Sequence, residues 1–161
     1  MKNKFLALFL SVVALFSAIA LSGCAKRLEV VVGDDGKTES VIFKISANVM
    51  EISPDSSVYD YMLALKEDGL FDFTSENSNF GQTILSVNGI ENYVAENGLS
   101  GKSWMIYTDL TTLDDVVYSN AEYGTYEHDG KTLNSASYGV SGLPCIEGYT
   151  FALVYAEWSW N

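Results

Sequence analysis

The stretch Tyr149–Trp158 reads YTFALVYAEW. Only Thr150 and Glu157 interrupt it as polar residues, and aromatic and β-branched side chains favour a pleated backbone. Both faces of the extended chain are apolar. A strand of that kind has cover on two sides, so it belongs in the middle of a sheet.

Working outward, Val41–Val49 alternates. Val41, Phe43, Ile45 and Ala47 fall on one face and Ile42, Lys44, Ser46 and Asn48 on the other, which predicts a half-buried strand. Gly81–Val87 (GQTILSV) predicts a strand closed by the turn Asn88-Gly89, and Ser103–Thr108 (SWMIYT) predicts another. Phe71–Thr74 is short and aromatic, and Leu113–Ser119 (LDDVVYS) is a further strand candidate. Leu28–Val32 followed by Gly33-Asp34-Asp35-Gly36 has the chemistry of a hairpin. Ser119–Ser137, polar and rich in Gly, Asn and Tyr, reads as an irregular excursion, and Tyr138–Leu143 as extended chain.

One segment has helical spacing. Val58, Tyr61, Met62 and Leu65 recur on one face. Ser57 with Asp60 three residues on can cap the free N–H groups, and Gly69 stops the helix. The helix is expected over about residues 57–68. One helix among many strands predicts an α+β domain, with the helix packed across one face of a mixed sheet.

The chain has 161 residues, 48% of them apolar and 13% aromatic, which suits one folded domain and excludes a disordered one. Nine basic residues against 21 acidic ones give a net charge of -12. Nucleic-acid binding is driven by Lys and Arg, so this acidity argues against it. Two cysteines cannot build a disulfide scaffold.

Lys2 and Lys4 precede an uncharged run, Phe5–Leu21, and then Leu21-Ser22-Gly23-Cys24. A basic start, an apolar run and small residues at the exit describe an export signal. The cysteine after Leu-Ser-Gly resembles the bacterial lipobox. The resemblance implies that residues 1–23 are a lipoprotein signal peptide and that Cys24 carries the lipid, with fatty chains such as palmitate. Removing two lysines and no acid takes the net charge from -12 to -14. An acidic domain is repelled by anionic headgroups, so two or more acyl chains would hold it to the membrane. The expected organisation is a lipidated Cys24 with a tether and hairpin over 24–40, then one domain over 41–161, outside the cytoplasmic membrane.

The order of landmarks adds a resemblance. A strand is followed by the capped helix Ser57-Val58-Tyr59-Asp60-Tyr61-Met62-Leu63. Then come Gly81 leading to Ile84-Leu85-Ser86-Val87-Asn88-Gly89, and Ser103-Trp104-Met105-Ile106-Tyr107. Tyr138-Gly139-Val140 and Glu147-Gly148-Tyr149-Thr150-Phe151 complete the series. Over roughly residues 40–157 this resembles the DUF4430 family, whose domains are similar to the C-terminal β-domain of transcobalamin and intrinsic factor. The resemblance implies a β-grasp-like fold. It also implies a bound corrinoid such as cobalamin, covered on one side by this domain. By position it carries a ligand role to Trp104, Tyr107, Tyr138, Gly139 and Val140.

Several residues offer chemistry of their own. Trp104, Tyr107, Tyr118, Tyr123, Tyr126 and Tyr138 are candidates for an aromatic cleft around a flat ligand, against ordinary sheet packing. His128 is the only histidine. It is a candidate ligand for a metal, the cobalt of a corrinoid included. It lies in a polar turn without a second histidine, so a solvated side chain is expected and no metal site is assigned. Cys145 would need an activating base to be a nucleophile, and a small buried residue is expected instead. Gly-Lys-Thr/Ser occurs at Gly36, Gly101 and Gly130 without the earlier glycine of a phosphate loop, and all three read as turns. Asp34-Asp35 and Asp114-Asp115 lack calcium-loop spacing. The chain has no Gly-x-Ser-x-Gly and no His-Glu-x-x-His, so no enzyme is expected.

The expected function is a lipid-anchored extracytoplasmic module. It would bind a corrinoid or other small molecule for delivery to a transporter membrane component. The alternative is a cell-surface docking module that holds a protein partner at a sheet edge or at the 118–138 excursion.

Overall fold

The computed structural model describes residues 28–160. The expected signal peptide, residues 1–23, and Cys24 lie outside the described residues. The chain forms β1 (Glu29–Val32), β2 (Thr38–Lys44), α1 (Val58–Glu67), β3 (Phe73–Ser78), β4 (Gly81–Val87), β5 (Ile90–Glu91) and β6 (Tyr93–Val94). It continues through β7 (Ser100–Thr108), β8 (Thr112–Leu113), β9 (Val116–Val117), β10 (Ser119–His128), β11 (Lys131–Ala136), a 3-10 turn (Val140–Gly142) and β12 (Thr150–Ser159). This is an α+β domain.

The main sheet has the order β1-β2-β12-β7-β11-β10, with β6 also beside β7. β12 is central, as its two apolar faces require. Phe151 pairs with Phe43 and Thr108, and Leu153 with Val41 and Ile106. Every strand pairing described is antiparallel, so the sheet is not mixed as expected. Consecutive strands here are joined mostly by turns, which antiparallel ladders accept and parallel ones do not.

One face of the sheet buries Val41, Phe43, Trp104, Phe151 and Leu153. α1 covers it with Val58, Tyr61, Met62 and Leu65, the residues its spacing selects. The β3–β4 pair adds Phe73, Ile84 and Val87. Tyr61 lies 5.7 Å from Phe43 ring to ring, and its hydroxyl donates to the Lys44 carbonyl at 3.0 Å. The start of the helix is a capping box: Ser57 accepts from the Asp60 N–H, and the Asp60 carboxylate accepts from the Ser57 N–H at 2.8 Å. At its end Leu70 N–H donates to the Leu65 carbonyl across Gly69, whose φ is +71°.

The opposite face is also covered. Ile42, Leu133 and Ala152 are buried there, with Val31, Tyr107, Tyr126 and Val154 around them. The cover is the segment 119–137, which is not an irregular excursion but the hairpin β10–β11. Its turn is Asp129-Gly130 with φ +48° and +73°, the twist that suits a two-residue hairpin. Tyr126 on β10 reaches Ser40 on β2, hydroxyl to hydroxyl at 3.1 Å, although four places separate the two strands in the sheet. The sheet therefore curls until its last strand lies over its first ones. This is why β2 is buried through Val41, Ile42 and Phe43 alike rather than half-buried, and it ends at Lys44, with 47–49 in a turn.

Two other expectations change. Leu113–Ser119 is not one strand. β8 and β9 form a small hairpin turned by Asp114-Asp115, both at positive φ. Tyr138–Leu143 is not extended. Gly139 N–H donates to the Phe80 carbonyl and the chain enters the 3-10 turn, so close to β4 that a Cβ on Gly139 would strike the Gln82 carbonyl.

Candidate functional site

The strand registers define two ends of the main sheet. At one end β1 begins at Glu29, paired with Ile42, and Lys44 pairs with Thr150. This is where the described chain begins. At the other end the β2–β12 ladder stops at Ser40 and Val154, while the β7–β12 ladder runs on. Tyr155 pairs with Trp104, Trp158 with Gly101 and Ser159 with Ser100, and Trp160 N–H donates to the Leu99 carbonyl at 2.7 Å. β6 flanks this extension through Tyr93↔Lys102 and Val94↔Gly101. From Thr150 to Trp158 the strand rises about 26 Å at ~3.3 Å per residue.

The far end is aromatic and open. The Trp158 ring lies on Gly101, where a Cβ would stand 2.6 Å from its Cζ2. Trp158 Nε1 donates to Ser103 Oγ at 2.9 Å, which fixes the ring's orientation. Trp160 stands beside it, 6.4 Å between ring centroids and 72% exposed. Tyr93 is 58% exposed, and Val94 and Leu99 are exposed with it. A cleft of about 370 Å³ is lined here by Tyr93, Gly101, Lys102, Glu157 and Trp158. Lys102 Nζ lies 3.8 Å from the Glu157 carboxylate and 5.3 Å from the Tyr155 ring centroid. Apolar side chains gathered at one exposed place are unusual on a strongly charged domain and mark contact surfaces.

The near end is charged. A cavity of about 240 Å³ opens there beneath the hairpin turn, with Ile42 and Leu133 in its lining and Glu29, His128, Asp129 and Lys131 around it. His128 is not a solvated turn residue. It ends β10, its ring stacks on Tyr126 at 9° between planes, and its side chain is 18% exposed.

The residues assigned by resemblance do not meet in one cleft. Trp104 is in the helix-side core, its Nε1 donating to the Ile90 carbonyl at 2.7 Å and its ring 5.2 Å from Tyr155. Tyr107 is on the other face of the same strand, against Tyr126 at 5.9 Å, and burial raises its phenol above the ordinary value. Tyr138 lies by Tyr118, 36% exposed, while Val140 is fully buried. Tyr123 stands out in solvent on β10. Strand parity separates Trp104 from Tyr107, so four of the six aromatics form two pairs, Trp104 pairs with Tyr155 and Tyr123 stands alone, rather than one cleft.

Cys145 is buried as expected. Desolvation and the charge of Asp60 push its thiol up to about 11. It belongs to the helix-side core and His128 to the opposite face, so no thiol–imidazole pair forms among the described residues. Of the three Gly-Lys-Thr/Ser tripeptides, those at Gly36 and Gly130 are turns, while Gly101 lies within β7. Asp35 accepts from Lys37 N–H at 2.9 Å, which lowers its carboxyl below the usual range. The far-end aromatics were absent from the sequence reading. The alternation Trp158, Trp160 on a strand that outruns its neighbour is the signal that pointed to them.

No helix among the described residues is long and apolar enough to cross a membrane. No family model, no curated protein and no solved structure matches the chain.

Proposed function

We propose that this protein is a lipid-anchored extracytoplasmic binding module that offers the open aromatic end of its sheet to a ring-shaped ligand. One observation carries the reading. Trp158 is laid flat on Gly101 and pinned through Nε1, next to exposed Trp160, at the end of the sheet opposite Glu29. With lipid on Cys24, that end points away from the bilayer.

The ligand class follows from the chemistry of the cleft. Indole faces take the apolar face of a ring. A surplus of acid disfavours anions. A neutral sugar ring combines these features. The corrinoid implied by the resemblance has a flat face too, but a cleft of about 370 Å³ admits only part of one. Hand-over to a transporter membrane component remains part of the proposal. The helix α1, crossing one sheet face after an opening hairpin, supports a β-grasp-like reading of the fold.

The test uses the full-length protein in detergent and follows tryptophan emission. Neutral oligosaccharides and cobalamins are titrated separately. We expect a saturable shift with the sugars that Trp160→Ala removes. A response to cobalamin alone returns the ligand to the corrinoid class, and no response to either overturns the reading. Retention of the protein at the membrane in Cys24→Ser would remove the anchor from it.

The second reading, a docking module for a protein partner, is favoured by Val30 and Val32, exposed along the edge strand β1. A partner strand could pair there. Charging that edge by Val32→Lys would abolish such capture and leave sugar binding intact.

A further inference from the structure

We infer that Glu29, His128 and Asp129 form a binding site for one divalent transition-metal ion of the Zn²⁺ type, joining the two edges of the main sheet. The inference is independent of what the aromatic end holds.

The spacing of the donor atoms is the first ground. His128 Nε2 lies 3.5 Å from an Asp129 carboxylate oxygen and 3.8 Å from a Glu29 carboxylate oxygen. One donor atom from each of the three lies within 4.8 Å of the others. Such separations are long for hydrogen bonds. Around Zn²⁺, bonds of about 2.0–2.2 Å to nitrogen and oxygen set neighbouring tetrahedral ligands roughly 3.3–3.6 Å apart. The trio needs only small movements to adopt that spacing.

The second ground is how the imidazole is held. Its ring lies parallel to that of Tyr126, two residues back on β10 and 6.4 Å away between centroids, and the Tyr126 hydroxyl is tied to Ser40 on β2. The two-residue turn at Asp129-Gly130 puts a carboxylate beside the ring, while Glu29 comes from the opposite edge of the sheet. Glu29 and His128 converge from the two edges with side chains 34% and 18% exposed, and Asp129, 86% exposed, completes the set from the turn.

The chemistry selects the ion. One imidazole and two carboxylates suit first-row divalent ions such as Zn²⁺, and the absence of thiolate disfavours Cu(I). Two carboxylates balance a double positive charge. Of the facing cations, Lys131 is engaged by Asp109 at 3.5 Å, whereas Lys44 lines the same cavity and lowers the affinity below that of a four-ligand structural site. Three protein ligands leave a coordination position open toward the 240 Å³ cavity. An ion here would fasten β1 to the β10–β11 turn and stabilise the curl of the sheet.

Calorimetric titration of the full-length protein in detergent with ZnCl₂ tests this, alongside thermal unfolding with and without chelator. We expect one ion per chain and a higher unfolding temperature when it is bound. His128→Ala should weaken binding at least ~10-fold, and Glu29→Gln and Asp129→Asn should each weaken it as well. Asp114→Asn, in the β8–β9 turn and outside the trio, should change nothing. The conservative Glu29→Gln keeps the test valid if His128→Ala misfolds, and circular dichroism checks each variant. No saturable heat with Zn²⁺, or equal affinity in the wild type and the three ligand variants, overturns the site.

Discussion

The two ends of the main sheet share their central strands yet present opposite surfaces. At the near end the edges are drawn together by His128 reaching toward Glu29, and further along the sheet Tyr126 is tied to Ser40. At the far end three strands, β6, β7 and β12, outrun the others and the hairpin does not follow. Where the sheet is closed, charge is concentrated around a half-buried cavity. Where it is left open, apolar rings stand in solvent. The difference shows that a single antiparallel sheet can carry two unlike contact chemistries simply because its strands are unequal in length.

The largest expected effect removes the shared foundation. Phe151, buried at the centre of β12, stacks on Phe43, and Phe151→Ala should cost about 3–5 kcal/mol in denaturant unfolding. Both ends should fail together. If the far end kept its tryptophan emission after the near end had melted, the two would not share one cooperative unit.

Gly101→Val strikes only the far end. The new side chain would meet the Tyr93 carbonyl and the Trp158 ring, and a loss of about 2–3 kcal/mol with red-shifted emission is expected. Zn²⁺ binding should survive, and its loss would mean that the ends are coupled.

A third change touches neither end and depends on pH. The Cys145 thiol is raised from 9.0 to about 11 by burial and by Asp60. The unfolded chain then loses its thiol proton first. The stability this group contributes is whole below pH 9 and is lost as pH rises from about 9 to 11. Comparing Cys145→Ala with wild type across that range isolates it, and parallel curves would count against the shift. Ser57→Ala removes the helix cap and should lower stability by about 1 kcal/mol, with both ends unchanged.

The smallest stability effect should accompany the sharpest functional one. Trp160 is 72% exposed, so Trp160→Ala should alter unfolding by less than about 0.5 kcal/mol while removing sugar binding. A full loss of stability would make that ring structural.

Much of this architecture was legible before any coordinates. The central position of β12 follows from its two apolar faces, and α1 from a cap and four residues at helical spacing. Residues 119–137 were not legible as a hairpin. Asn120, Glu122 and Glu127 face water, and Gly124 with a bulge between Asn120 and Thr125 breaks the alternation, leaving Tyr126 and Leu133 as the apolar anchors. Trp104 illustrates another limit. An aromatic on a strand reads alike whether it meets a ligand or, as here, the core. The partnership of Glu29 with His128 depends on how far a sheet curls, which no local pattern records.

The central position of β12 also bears on when the domain can assemble. β12 follows β2 and β7 in the chain yet must slide between them. β2 can pair early with β1 and β7 with β6, but the ladders that join them through β12 close only once it emerges, at long separation along the backbone. A chain built this way becomes a solid object only when its last long strand is in place.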